Sequence, residues 1–434
     1  VAAMTEIWSS AGFDGVAHLL ADSEAPHVVG HFAALVMPAD DTRVVFVHAC
    51  LAGEVTTPDK FNGCLQGFLW ALRGDRTAML ASAAEGLAPE ALVRLFTCAP
   101  CSGDTWRQLA HYSEAIRAAY WKIVTPSWHR LDEAEIIELI DRLLEAERPR
   151  AAFRAVHLDW DKVETTRLKR LMLAVPTLAG DAPGTYQLDR HDISKALSSL
   201  DGRPGVSPAE MAQLEFLFLS ALDHSEHGIP NLERQIEESP SLYVQVLAMG
   251  FKRSDEGTDP PEWRIDDPDR RESAAVAAHR LLSQIRRVPG TGPDGVISAD
   301  ALLSWAREVR QLCSQHGRVV IGDIHLGQLL ARAPASDGAW PCRPVCEALE
   351  ALASQEIREG FVIAVRNSRG VHHRGEGGDQ ERGLAARYRG WAQQLSSEFP
   401  YVSSLLEDVA ASYDREAERH DSDAKVRRRL RHWV

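Results

Sequence analysis

Helix breakers fall regularly between short apolar stripes, and this constrains the chain more than any other feature. Over residues 1–176, Pro26, Pro38, Pro58, Gly74, Gly86, Pro89 and Pro100 separate segments whose apolar residues recur three or four apart. Ile7, Trp8, Phe13, Val16, Leu19 and Leu20 make one stripe, and Phe61, Leu65, Phe68, Leu69 and Leu72 a second. Leu87, Leu92, Leu95 and Phe96 make a third. That period is helical, and a proline opens a helix but does not sit comfortably inside one. The cleanest pattern is Asp132–Glu147, where Ile136, Ile137, Leu139, Ile140, Leu143 and Leu144 alternate with carboxylates. Short amphipathic helices bury their apolar face only by stacking on neighbours. The chain is therefore expected to be mainly α, built of degenerate α-helical repeats of the solenoid-like kind, with no strict period.

Composition narrows the function classes. With 45% hydrophobic and 25% charged residues, the 434-residue chain is globular rather than disordered. No apolar run approaches the ~18 residues of a membrane helix, and no signal-peptide pattern is present, so the expected location is cytoplasmic, with no membrane partner. A net charge of −14 argues against broad nucleic-acid binding, which draws on a basic surface. The last eleven residues are the local exception, with Lys425, Arg427, Arg428, Arg429 and Arg431 and no acid. They read first as a solvated helix end. Seven cysteines form no disulfide framework and fit reduced thiols. Because the first residue is Val1, the chain is expected to be a fragment or a processed product.

Three regions follow from the breakers: a helical-repeat region over 1–176, a second helical region over 177–288, and a C-terminal unit over 289–434. Within the second, Ser207-Pro208-Ala209-Glu210 reads as a capped helix start. The polar, proline-rich stretch 251–271 reads as an exposed loop. The C-terminal unit is expected to mix strands with helices. Arg318–Ile321 is strand-like, Asp323–Leu330 and Cys342–Glu359 are helical, and Phe361–Val365 is rich in β-branched residues. A turn through Asn367–Gly370 then lets Val371–Arg374 pair back, giving a β-hairpin over 361–374 ahead of a helical tail. That hairpin displays Arg366, Arg369, His372, His373 and Arg374, with Trp391 on the following helix. These six are the candidate partner-binding residues. Helix, helix, hairpin is also the order of a winged helix, a frame for reading DNA.

No catalytic constellation is visible, and no cofactor is implied. Cys98-Ala99-Pro100-Cys101 has dithiol spacing, but neither a second matched pair nor a βαβ frame accompanies it, so it reads as a buried helix-to-helix turn. Asp223-His224-Ser225-Glu226-His227 packs two imidazoles and two carboxylates into five residues, yet the Gly228-Ile229-Pro230 that follows places it at a helix end. A structural role is preferred, with a metal-dependent hydrolase as the alternative. Gly322-Asp323-Ile324-His325 matches the first metal box of metallophosphatases without the later boxes, leaving Asp323 as an N-cap and His325 in the first turn. Gly375-Glu376-Gly377-Gly378 lacks the lysine of a phosphate loop and carries acids that repel an anion, so it reads as a turn into a helix capped by Asp379.

Several phrases carry a resemblance: GDIHLGQLLARAP, Trp340-Pro341, EALASQEIREGFVIAVRNSRGV, RGEGGDQERGLAARYRGWAQQL and SYDREAERHD, with AAYWKIV, LLEAERPRAAF and MAQLEFLFL upstream. The chain resembles the C-terminal helical-repeat sensor or scaffold region of large bacterial multidomain immune (anti-phage defence) proteins. The resemblance implies a non-enzymatic recognition or scaffolding module that binds a protein partner or a phage-derived ligand and serves an upstream effector domain. A nucleic-acid-binding module of winged-helix type is the alternative.

Overall fold

The structure is a computed structural model that describes residues 1–38, 41–53, 58–72, 76–126, 131–176, 188–336, 338–368 and 377–431, the last four as backbone only. Among these residues the fold is mainly α, with degenerate helical repeats and no strand. Its β-type pairings are the isolated bridges Thr291–Ile297 and Ser336–Ala339. The chain forms two compact units, Val1–Val206 and Ser207–Val434.

The first unit runs through α1 (Ala2–Asp22), α2 (Pro26–Val36), α3 (Asp41–Ala52), α4 (Pro58–Ala71), α5 (Arg76–Ala84) and α6 (Pro89–Cys98). It continues with α7 (Gly103–Leu109), α8 (Glu114–Ile123), α9 (Glu133–Glu145), α10 (Pro149–Ala155), α11 (Thr165–Ala174) and α12 (Arg190–Leu200). The breakers act as expected: prolines open α2, α6 and α10. α9 is held by a reciprocal cap, in which Glu135 N–H donates to Asp132 Oδ1 (2.8 Å) and Asp132 N–H to Glu135 Oε2 (3.0 Å). Its buried stripe is Ile136, Leu139, Ile140 and Leu143.

The second unit comprises α13 (Pro208–Leu217), α14 (Leu219–Leu222), α15 (Pro230–Glu238), α16 (Pro240–Gly250), α17 (Pro268–Gln284) and α18 (Ala299–Gln315). Then come α19 (Val319–Leu330), α20 (Arg343–Leu352), α21 (Gln355–Asn367), α22 (Asp379–Leu395) and α23 (Pro400–Arg431). Ser207 and Glu210 form the expected capping box of α13.

Each unit contains an unusually close crossing of two helices through paired glycines, and these two crossings share a register. In the first unit, a Cβ on Gly30 of α2 would lie 1.8 Å from the Cys64 carbonyl oxygen of α4, and a Cβ on Gly67 would lie 1.8 Å from that of His27. In the second, a Cβ on Gly327 of α19 would lie 2.0 Å from the Ile357 oxygen of α21, and one on Gly360 would lie 1.9 Å from that of Ile324. Each glycine thus receives the carbonyl of the residue that stands three before the opposite glycine. Only glycine permits backbones to approach so closely. Local sequence repeats as well: Gly67–Arg73 is GFLWALR and Gly360–Arg366 is GFVIAVR. Phe68 and Phe361 are both fully buried beside their crossings.

Several expectations for the C-terminal region are corrected. Arg318–Ile321 is not a strand, since α19 begins at Val319. Phe361–Asn367 is helical, so the first strand of the expected hairpin 361–374 does not exist; residues 369–376 lie outside the described set. Ile357, Gly360, Phe361 and Val365 are buried at helical spacing against α19, and that burial outweighs the β-preference of Val and Ile. The winged-helix reading loses its wing by the same finding. The α+β character expected of this unit is likewise replaced by helix. Cys342–Glu359 is two helices, broken where Ala353 takes a left-handed φ of 33° and Ser354 caps α21.

The stretch 251–271 is exposed over most of its length, as expected, and it is anchored to the rest of the unit. Arg318, 2% exposed, donates to both carboxylate oxygens of Asp259 (2.6 and 2.8 Å) and to the Phe251 carbonyl (3.0 Å). Ser254 N–H donates to the Gly317 carbonyl (2.8 Å), and α17 has begun by Pro268.

Candidate functional site

A concave, mainly apolar site lies in the first unit beside its helix crossing. Gly30 and Gly67 let α2 and α4 approach backbone to backbone. α6 is fixed to α4 and α3 by Arg94, which donates to Asn62 Oδ1 and to the carbonyls of Leu51 (2.7 Å) and Cys50 (3.3 Å). It stops at Cys98 because Ala99 is extended (φ −73°, ψ 157°) ahead of Pro100. The space left beyond its end measures about 650 Å³.

α2 contributes His27, Val28, His31 and Phe32, while α4 contributes Gln66, Gly67 and Trp70. The end of α6 and residues Thr125 and Pro126 complete the wall. Val28 (41%) and Trp70 (40%) leave large apolar surfaces in water. None of the described lining residues is Asp, Glu, Lys or Arg. Such a site favours a neutral, apolar or aromatic group, oriented by the imidazoles one turn apart on α2, by Gln66 and by the threonine hydroxyls. Nucleophilic chemistry is not favoured there: burial pushes the Cys98 thiol up to about 12, so it stays protonated at neutral pH.

The residues singled out from the sequence are scattered among other roles. Cys98 and Cys101 are both buried, as a helix-to-helix turn requires, and burial pushes Cys101 up to about 11. In the Asp223–His227 cluster the two imidazoles part company. His224 is exposed and pairs with Asp223 (3.5 Å), whereas His227 turns inward to Glu215 Oε1 (3.2 Å). Glu215 is fully buried and also accepts the N–H groups of Asn231 (3.2 Å) and Leu232 (2.7 Å). It therefore caps the start of α15 from α13.

Asp323 is not an N-cap. It lies within α19, 2% exposed, and accepts two bonds from Arg310 (2.9 and 3.0 Å) and one from Ser354 (2.7 Å). His325 packs on Phe251, and burial, aided by His279 and Arg332, lowers its pKa to about 4. Gly378, not Asp379, is the N-cap of α22, and its N–H donates to Asp421 Oδ1 (2.9 Å).

Of the candidate partner-binding residues, Arg366 is exposed on α21. Trp391 is half-buried on α22, in a ring cluster with Trp340 (5.7 Å) and Tyr388 (5.3 Å). Arg369, His372, His373 and Arg374 lie outside the described residues.

Sequence reasoning did not single out His27, His31 or Trp70. The available signals were the two histidines four apart and the GFLWALR phrase, repeated in altered form near residue 360. No protein-family model and no curated protein matches the chain.

Proposed function

We propose that the chain is a recognition and scaffolding module, non-enzymatic, whose first unit receives an apolar, aromatic-bearing segment of a protein partner between α2, α4 and α6. The observation that carries this is the pocket itself: about 650 Å³, without a charged residue among those described, and bordered by half-exposed Trp70 and Val28. Its volume lies within the ~300–1,000 Å³ typical of specific sites, and partly exposed tryptophans are recurrent anchors of interfaces. Helical repeats commonly serve to hold other macromolecules. The resemblance of the C-terminal phrases to sensor regions supports a setting within a larger bacterial defence protein, in the cytoplasm, with a phage-derived or host protein as the partner.

Capture of partners from infected and uninfected bacterial lysates, by wild type and by Trp70→Arg, tests the reading. Trp70 is exposed, so the variant should retain its helical circular dichroism. A partner should be held by wild type and lost by the variant. An identical set of captured proteins for both would overturn the proposal.

A further inference from the structure

In the second unit, α22 and α23 bring together three ligating side chains that the proposed recognition does not use. Glu381 lies in the first turn of α22, while Glu416 and His420 stand one turn apart on α23. One donor atom of each lies within 4.8 Å of the other two, and His420 Nε2 is 3.4 Å from Glu416 Oε1. Glu381 is 1% exposed, and the side chains of Glu416 and His420 are 21% exposed, so the cluster is sheltered yet reachable from solvent.

The frame around these groups is stiff. A Cβ on Gly378 would lie 2.4 Å from the carbonyl oxygen of Ala417, which places the start of α22 directly on α23 beside Glu416. Asp421 clamps the same turn, accepting from Gly378 N–H (2.9 Å) and Arg382 Nη1 (2.7 Å). The backbones that carry the donors are therefore fixed against each other, as metal sites need.

We propose that Glu381, Glu416 and His420 bind one divalent first-row transition ion. Two carboxylates and an imidazole whose donor atoms lie this close together can surround a single cation. An imidazole alongside two carboxylates suits Mn²⁺, Fe²⁺, Co²⁺ or Zn²⁺, whereas Mg²⁺ and Ca²⁺ take oxygen donors. Three protein donors leave further coordination positions to water.

Chelator-treated full-length chain titrated with Co²⁺ and with Zn²⁺, followed by visible absorption and calorimetry, tests the assignment. Wild type should take up one equivalent and gain thermal stability with it. His420→Gln and Glu416→Gln should each bind at least about tenfold more weakly. Failure of wild type to bind either ion would overturn the proposal, whatever the variants do. So would uptake unchanged in both variants, since the ion would then be held by other histidines or cysteines.

Discussion

A methyl group at Gly30 would sit 1.8 Å from the Cys64 carbonyl oxygen, and one at Gly327 would sit 2.0 Å from that of Ile357. Both contacts are with backbone, which cannot step aside as a side-chain tip does. Gly30→Ala and Gly327→Ala should each cost about 3 kcal/mol or more in urea unfolding. Gly383 in the exposed face of α22 has no atom within 4 Å of its added Cβ. There Gly383→Ala should stabilise by roughly 0.5–1 kcal/mol, and equal effects at the three positions would refute the crossing's role. His325 sets a second expectation at this scale. Its pKa falls from 6.5 to about 4 on folding, chiefly through burial, with His279 and Arg332 adding to the effect. The unfolded chain takes up a proton below 6.5 that the folded chain refuses. This group's contribution is therefore complete above pH 6.5 and is lost as pH falls towards 4, by at most about 3 kcal/mol. Unfolding midpoints should decline less steeply over that window in His325→Gln than in wild type; parallel curves would exclude the effect.

Among the elements, local chemistry explains some boundaries and not others. The caps of α9 and α13 follow from residues three apart in sequence and are legible there: Asp132 with Glu135, and Ser207 with Glu210. The start of α15 is not, because its cap is Glu215, carried on α13. The same holds for 251–267, whose composition gives away an exposed loop but not its path, which is set by Arg318, dozens of residues downstream. Arg318 is charged and 1% exposed at its side chain, so removing its partner leaves a buried cation. Asp259→Ala should cost about 3 kcal/mol and speed hydrogen exchange of the amides at 252–264. Unchanged exchange there would show that the pair does not anchor the loop. The misread strand at Phe361–Val365 has the opposite cause: β-branched residues suggested an extended chain, and burial against α19 made it helical.

Taken whole, the molecule repeats one device in two units, a glycine-centred crossing that precedes further stacked helices. Each unit has its own buried core, so damage at one crossing should stay local. Hydrogen exchange of Gly30→Ala should show lost protection across α1–α6 and near-native protection of α19–α23. Uniform loss would mean that the two units unfold as one. The helical class, the repeats without strict period and most helix starts were readable from the sequence, because period and capping act over a few residues. The pocket, the Glu381–Glu416–His420 cluster and the distant caps were not, because each joins side chains whose separation in sequence says nothing of their separation in space. Spacing of apolar residues and breakers determined where helices form. Only packing decided which helices meet, how closely their backbones approach, and which polar groups converge between them.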